Sequence, residues 1–473
     1  MAAADTSEQE AHAFDYDMLV IGSGPSGQKA AVQAAKLRKR VAVVEATKVV
    51  GGVWSNSGTI PSKSFREAVM YLSGFRERSI YGSAYRVKSR ITMNDLTYRI
   101  ESIVHHENQV IEDQLSRNRI EILRGRACFV DPHTIRIDNQ GAILTKTAKI
   151  IVIAVGTRPY HPPGFENDGE RILDSDDVLT MKDLPRNLVV VGGGIIGVEY
   201  ASMFAVLGVK VTLIEARKEL LTFVDREIVE SLQYHLRNLS ITLRLGEEVS
   251  NVTRRPDGQV ETNLKSGKKI ICETVLISAG RQGATDSLNL AAVGITPDKY
   301  GRIKVNEHFQ TDAPHIYAVG DVVGFPALAS TGMLQGRSAA CHAFNVPDDS
   351  KTVPLPYGIY TIPEISLVGE TEDSLTQQQV PYETGIARYK EIARGHLIGD
   401  ELGMLKLLFH RETLQVLGVH IIGEGATELI HLGQAVLYLK GGLDYFMACV
   451  FNNPTLSECY KVAALDGLNK IRA

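Results

Sequence analysis

An α/β chain with two doubly wound, Rossmann-like domains and a C-terminal α+β domain is predicted by three features of the sequence. A strand–glycine turn–helix–strand pattern occurs near the N-terminus and again near residue 190. Each copy ends its second strand on a glutamate. From about Pro354 the texture changes to alternating strands and two helices.

The first copy starts at Asp15. Tyr16 to Ile21 has the apolar character of a buried parallel strand, and Gly22-Ser-Gly24-Pro-Ser-Gly27 follows at once. An alanine-rich helix to about Leu37 leads into Val41 to Val44 and then Glu45. Such glycines permit a tight turn and bring backbone N–H groups close to a pyrophosphate at the helix N-terminus. The terminal acid accepts hydrogen bonds from a ribose. Alone, Gly-x-Gly-x-x-Gly is weak evidence; with both strands and the acid in place it predicts a dinucleotide site.

The second copy reads Leu188 to Val191, Gly192-Gly-Gly194-Ile195-Ile-Gly197, and Val211 to Ile214 before Glu215. First glycine and acid are 23 residues apart in both copies. Val-Ala-Val-Val-Glu-Ala at 41–46 is answered by Val-Thr-Leu-Ile-Glu-Ala at 211–216. Two such sites suggest one bound cofactor and one exchanging cofactor that pass electrons between them.

Between the copies, Ile120 to Ala154 reads as a β-meander with turns at Asp131-Pro132 and Asn139-Gln-Gly141, closing on Ile150 to Ala154 and Gly156. A matching strand, Thr274 to Ala279, runs into Gly280-Arg281, and Ile316 to Val319 runs into Gly320-Asp321. Strands are expected at Leu355 to Thr361, Leu402 to Phe409 and Val416 to Ile422, with a helix near Ala426 to Tyr438. Ahead of the meander lies Gly51-Gly52-Val-Trp54-Ser-Asn-Ser-Gly58-Thr59-Ile60-Pro61-Ser62-Lys63. An amphipathic helix follows it, with Phe65, Ala68, Val69, Leu72 and Phe75 at helical spacing and Pro61 suited to a first turn.

Composition narrows the class. A length of 473 residues suits about three domains. With 51 basic and 55 acidic residues the net charge is −4, which argues against a nucleic-acid or anionic-membrane surface. No apolar run reaches transmembrane length, and Met1 to Phe14 reads as a loose polar tail rather than a signal peptide. The five cysteines are scattered without Cys-x-x-Cys spacing, so they read as small buried hydrophobes in a reducing cytoplasm. Glu428 and His431 share a helix face at i, i+3, but no further ligands accompany them. Helix packing is the reading there, and no metal is expected.

The stretch Gly51 to Lys63, both glycine fingerprints, and Gly320-Asp321 ahead of Ala329-Ser-Thr-Gly-Met-Leu-Gln-Gly-Arg337 resemble the flavoprotein disulfide reductases. The resemblance spans about Asp15 to Ile471. It implies FAD on the first fingerprint, with Gly22, Gly24, Gly27, Glu45, Gly52, Thr59 and Lys63 at the site. Ala154 and Gly156 would close that site, and Asp321 would meet the flavin ribityl chain. NAD or NADP falls to the second fingerprint, through Gly192, Gly194, Gly197, Glu215 and Gly280, with Ile195 shuttering the nicotinamide pocket. Lys63 and Glu199 match the family's lysine–glutamate pair beside flavin N5. The implied domains are FAD-binding at 15–160 and 286–353, NAD(P)-binding at 161–285, and a dimerisation domain at 354–473 that includes Tyr360-Thr-Ile-Pro-Glu-Ile-Ser-Leu-Val-Gly369. A homodimer, or a higher homo-oligomer, is implied with them.

The departures are as informative. The family's two redox cysteines fall at Trp54 and Thr59, and its C-terminal His-Pro…Glu element reads Asn453-Pro454-Thr-Leu-Ser-Glu458. Thiols and thiol-managing base are absent together, so dithiol chemistry is not expected. Gly58 to Lys63, residues 423–434 and residues 452–469 are most similar to members that exchange hydride between nucleotides. That resemblance implies hydride passing from NADPH to FAD and directly on to NAD. Those members often keep a cysteine where this chain has Trp54, its only tryptophan, which bears on whether a third substrate reaches that flavin face. Glu215 suits the 2′-hydroxyl of NAD and repels the 2′-phosphate of NADP, while Arg217 and Lys218 compensate, so both nucleotides are expected. A quinone or dye reductase and a non-catalytic FAD-bound partner protein are the other two classes.

Overall fold

A computed structural model describes residues 13–82, 85, 86, 88, 90–348 and 353–472. The tail expected over Met1 to Phe14 lies outside the described residues, apart from Ala13 and Phe14. The chain forms two compact units. One comprises Met1–Thr59, Val104–Arg158 and Arg281–Ser350; the other comprises Ile60–Ile103, Pro159–Gly280 and Lys351–Ala473.

In the first unit, the sheet runs Glu121–Arg124, Val41–Glu45, Tyr16–Ile21, Ala142–Ile153, Thr134–Asn139, Arg126–Asp131, and Ile316–Ala318 also pairs with Ala142–Ile153. Val41–Glu45 and Tyr16–Ile21 pair in parallel, with Leu19 opposite Ala42 and Val20 opposite Val43. The strand Tyr16–Ile21 is buried along almost its whole length, as both-face coverage requires. The expected meander is present, but its last strand is one continuous element of 12 residues. Its largely exposed first half pairs antiparallel with Thr134–Asn139, and its largely buried second half pairs in parallel with Tyr16–Ile21. No glycine or proline interrupts Ala142–Ile153, so the chain has no reason to break where its surroundings change from solvent to core.

In the second unit, five parallel strands run Thr242–Leu245, Lys210–Glu215, Asn187–Val191, Thr274–Ile277, Ile172–Asp174. Beside them is an antiparallel sheet of Val249–Arg254, Val260–Leu264 and Lys269–Cys272, which the sequence pattern did not indicate. The same unit holds a five-stranded antiparallel sheet, Tyr357–Ile359, Ile365–Gly369, Val416–Ile422, Met404–His410, Tyr382–Arg388. The helices Ala426–Tyr438 and Glu458–Arg472 cover it, burying Phe409, Ile421, Tyr460 and Ala463. The strand expected from Leu355 shortens to Tyr357–Ile359 because Pro356 before it has no N–H for a ladder.

One charged cluster lies in this apolar setting. Lys406 is wholly buried, with Nζ 2.9 Å from Asp225 Oδ1 and 3.1 Å from Glu227 Oε2, and it also meets Glu372. Burial opposes both charges, yet each is held by its partners: Lys406 titrates above the usual lysine range and Asp225 below the usual carboxylate range. Asp225 also caps the helix Arg226–Asn238 by accepting from the Glu227 N–H. Among the described residues, no helix is long and apolar enough to cross a membrane.

Candidate active site

The two glycine fingerprints adopt the same backbone. Gly22 has φ +106° and Gly192 has φ +109°, where a side chain is strained. A Cβ on Gly22 would meet Ala154 O at 2.4 Å, and one on Gly192 would meet Ser278 O at 2.4 Å. Gly27 and Gly197 let each helix press onto its own turn, since a Cβ there would approach the Gly22 or Gly192 carbonyl oxygen within 2.0 and 1.9 Å. The helices Pro25–Lys36 and Ile195–Val206 are N-capped by Gly24 and Gly194, with no capping side chain. Their first N–H groups are thus left for an anion.

In the first unit these residues border a cavity of about 440 Å³. Gly22, Gly24, Glu45, Gly52, Thr59, Ala154, Gly156 and Asp321 all line it, as does Trp54. Glu45 is buried and held by the Ser23 hydroxyl at 2.5 Å and by the Thr47 N–H and hydroxyl at 2.8 and 2.9 Å. Burial raises the carboxyl of Asp321 above its usual range, against the pull of Arg281 and Thr157. The Thr157 hydroxyl stands 3.4 Å from Asp321 Oδ2, and Arg281 Nε donates to Thr157 Oγ1 at 2.9 Å. A glycine cradle that a Cβ would fill, an uncapped helix start, an acid on the strand end and a weakly bonded carboxylate in the wall together fit a flavin dinucleotide.

At the second fingerprint, Glu215 Oε2 accepts from the Gly193 N–H at 2.6 Å. Arg217 donates to Oε1 through its N–H at 2.9 Å and its Nε at 3.0 Å. Although burial opposes it, this pairing holds the Glu215 carboxyl below its usual range. Arg217 itself is half exposed, and its Nη1 also donates to Thr222 Oγ1 at 3.4 Å. Ile195 is the half-buried first residue of its helix. Gly280, at φ +114°, accepts from the Tyr160 N–H at 3.0 Å. If Arg217 meets the 2′-phosphate, Arg217→Ala should raise the NADPH dissociation constant roughly tenfold or more while leaving that for NADH within about twofold, because a charge-assisted contact would be lost only with the phosphate. Equal losses in titrations of both nucleotides would remove Arg217 from that role.

Lys63 and Glu199 come together. Nζ donates to Glu199 Oε2 at 2.7 Å, with the carboxylate almost fully buried and the ammonium a quarter exposed. The other oxygen, Oε1, accepts the Tyr360 N–H at 2.8 Å, and the ammonium stands 4.9 Å from the centre of the Tyr360 ring. Tyr360 was visible in the sequence only as part of a longer segment; an aromatic residue beside Thr-Ile-Pro was the sole signal for it.

Residues 16–336 match the family described as pyridine nucleotide-disulphide oxidoreductase, and residues 355–464 match its dimerisation domain. The chain belongs to the pyridine nucleotide-disulphide oxidoreductase family. It is 55% identical over 461 residues to the soluble pyridine nucleotide transhydrogenase of Mycobacterium bovis (strain BCG / Pasteur 1173P2), covering 97% of this chain and 98% of that one. The Escherichia coli (strain SMS-3-5 / SECEC) protein of the same name is 44% identical over 465 residues, covering 97% and 99%. Among solved structures, LpdA from Mycobacterium tuberculosis superposes with a TM-score of 0.87 at 26% identity, covering 95% of this chain and 99% of that one. The HOCl-induced flavoprotein disulfide reductase RclA from Escherichia coli gives 0.85 at 26% identity, covering 95% and 99%.

For a pyridine nucleotide-disulphide oxidoreductase, the cysteines are oddly placed. All five are free, and none lines the cavity. Burial pushes the Cys272 thiol up to about 11 and the Cys459 thiol up to about 12. Trp54 sits in the short helix Gly52–Asn56, packed against the core behind the cavity wall. Asn453 Nδ2 donates to Glu458 Oε1 at 2.6 Å, so the C-terminal element keeps its internal pairing without a titrating ring. His431, considered as a metal ligand, bonds the Gln434 side chain at 2.8 Å through Nδ1.

Proposed function

We propose that this chain is an FAD-dependent transhydrogenase that moves hydride between NADPH and NAD without a redox disulfide. The observation that carries this reading is the 2.7 Å Lys63–Glu199 pair, kept alongside two complete dinucleotide turns in a chain with Trp54 and Thr59 at the cysteine positions. The 55% identical relative, a soluble pyridine nucleotide transhydrogenase, supports it. Bound FAD would supply a two-electron acceptor able to take hydride from one nucleotide and return it to another.

The residues divide the remaining work. Backbone N–H groups at Gly24 and the helix start would hold the pyrophosphate, with Gly22 making the tight turn, Glu45 would take the adenosine ribose, and Asp321 would take the ribityl hydroxyls. Glu199 fixes the Lys63 ammonium, and a fixed cation favours an anionic reduced ring electrostatically. Gly192, Gly194, Gly197 and Gly280 seat the exchanging nucleotide, Ile195 screens its nicotinamide pocket, and Glu215 with Arg217 admits either NAD or NADP.

The domain division follows the same reading: FAD-binding at 15–160 and 286–353, NAD(P)-binding at 161–285 and dimerisation at 354–473, in a cytoplasmic homodimer or higher homo-oligomer. The match of residues 355–464 to the dimerisation domain supports the last part. Anaerobic titration with NADPH, then NAD, tests the function: NADPH should bleach the flavin and NAD should restore it. Quinone reduction outpacing transfer to a thionicotinamide analogue would make it a quinone reductase. No bleaching by either nucleotide would make it a non-catalytic FAD-bound protein.

A further inference from the structure

We propose that Tyr360 is the positioning residue of the Lys63–Glu199 pair, holding the ammonium through its ring and the carboxylate through its backbone. The inference rests on the reading of that pair as part of the hydride-transfer site.

A lysine beside a carboxylate is normally mobile, since four side-chain torsions must be fixed for one ion pair and water competes for the ammonium. Here the ammonium is a quarter exposed, so the pair alone does not confine it. Residue 360 supplies two restraints at once. Its N–H takes Glu199 Oε1 at 2.8 Å, which fixes the carboxylate rotation and presents Oε2 to Lys63. Its ring then presents a negative face to the ammonium 4.9 Å away, within cation–π range.

The ring is itself pinned. Thr427 packs beside it against Gly358 and donates its hydroxyl to Glu364 Oε2 at 2.8 Å. Gly358 lies against the ring, where an added Cβ would come 3.5 Å from Tyr360 Cε2. Two residues on, the Ile362 N–H donates to Ser202 Oγ at 3.2 Å, fastening the same segment to the helix that carries Glu199. Tyr360 therefore acts on hydride transfer through Lys63 and not by touching substrate.

The test uses the holoenzyme and three variants, Tyr360→Leu, Tyr360→Phe and Lys63→Met. Leucine keeps the backbone N–H and apolar bulk but lacks a π face. Pulse labelling of lysines with acetic anhydride, read by mass spectrometry, should show Lys63 reacting roughly three- to thirtyfold faster in Tyr360→Leu, the range a lost cation–π contact implies. Flavin reduction in stopped flow should fall by a similar factor, and Tyr360→Phe should bring both readouts back to within about twofold of wild type. Added to Lys63→Met, Tyr360→Leu should change the reduction rate no further. Wild-type labelling of Lys63 in Tyr360→Leu, or a phenylalanine variant as impaired as the leucine one, overturns the proposal. If Lys63→Met reduces flavin at the wild-type rate, the hydride-transfer role of the pair fails, while the labelling arm still decides whether the ring holds the lysine.

Discussion

Glu199→Ala is expected to slow reduction of the bound flavin by NADPH roughly ten- to a hundredfold, the loss implied by removing one charge-assisted hydrogen bond of ~1.5–3 kcal/mol from the proposed hydride-transfer site. The Glu199 carboxylate makes two hydrogen bonds, to Lys63 at 2.7 Å and to the Tyr360 N–H at 2.8 Å. Truncation leaves the ammonium without its counter-charge, and it relaxes toward solvent. The nucleotide turn is untouched, because Gly192 and Gly193 bond Ile214 and Glu215 and make no use of Glu199. Binding constants for NADH and NADPH should therefore stay within about threefold, so the effect separates chemistry from affinity. Glu199→Gln keeps an acceptor for the Tyr360 N–H without the charge and should fall between the two. Stopped-flow reduction at the wild-type rate would show that the pair has no part in hydride transfer.

Electron capacity should show an equally large contrast. A dithiol member of the family stores one electron pair on flavin and one on its cysteines, and its half-reduced form shows a long-wavelength charge-transfer band. Here dithionite titration should end at one electron pair per FAD, with no such band. Trp54 and Thr59 cannot accept electrons as a disulfide does, and no cysteine lines the cavity. Burial also keeps Cys272, Cys341 and Cys459 protonated, each raised above the ordinary thiol range. Since their shifts are upward, raising pH within the neutral range does not recruit them as thiolates. Uptake of a second pair would mean that a cysteine communicates with the flavin, and the direct relay between nucleotides would fall with it.

Much of this was legible in residue order because local chemistry decided it. The two fingerprints need glycine for steric reasons that hold in any surroundings, so Gly22 and Gly192 could be located without coordinates. The strand Val416–Ile422 and the helix Ala426–Tyr438 appear at the residues expected, for each has one dominant period. What escaped was set by distant partners. Lys406 reads as an ordinary polar strand residue until Asp225, Glu227 and Glu372 are brought around it. Tyr360 lies 297 positions from Lys63, and nothing in either segment announces that a ring will meet an ammonium. Likewise Ala142–Ile153 has one pattern in each half, which suggests two elements where the backbone makes one.

The glutamates at the ends of the two repeats have been given different companions, and this limits how the copies can exchange parts. Ser23, whose hydroxyl holds Glu45, corresponds to Gly193, and Val50 corresponds to Leu220. A Cβ at Gly193 would lie 2.4 Å from Leu220 Cδ2 and 3.0 Å from Glu215 Cβ, and Leu220 is wholly buried. The extra methylene of the leucine occupies the room that the serine uses in the first copy. A hydroxyl at 193 therefore requires Leu220 to move or to become smaller. Without it the acid of the second copy depends on Arg217, at the position where the first copy has Thr47. A serine and a valine in one copy, and a glycine and a leucine in the other, thus form two separate packings around the same acid.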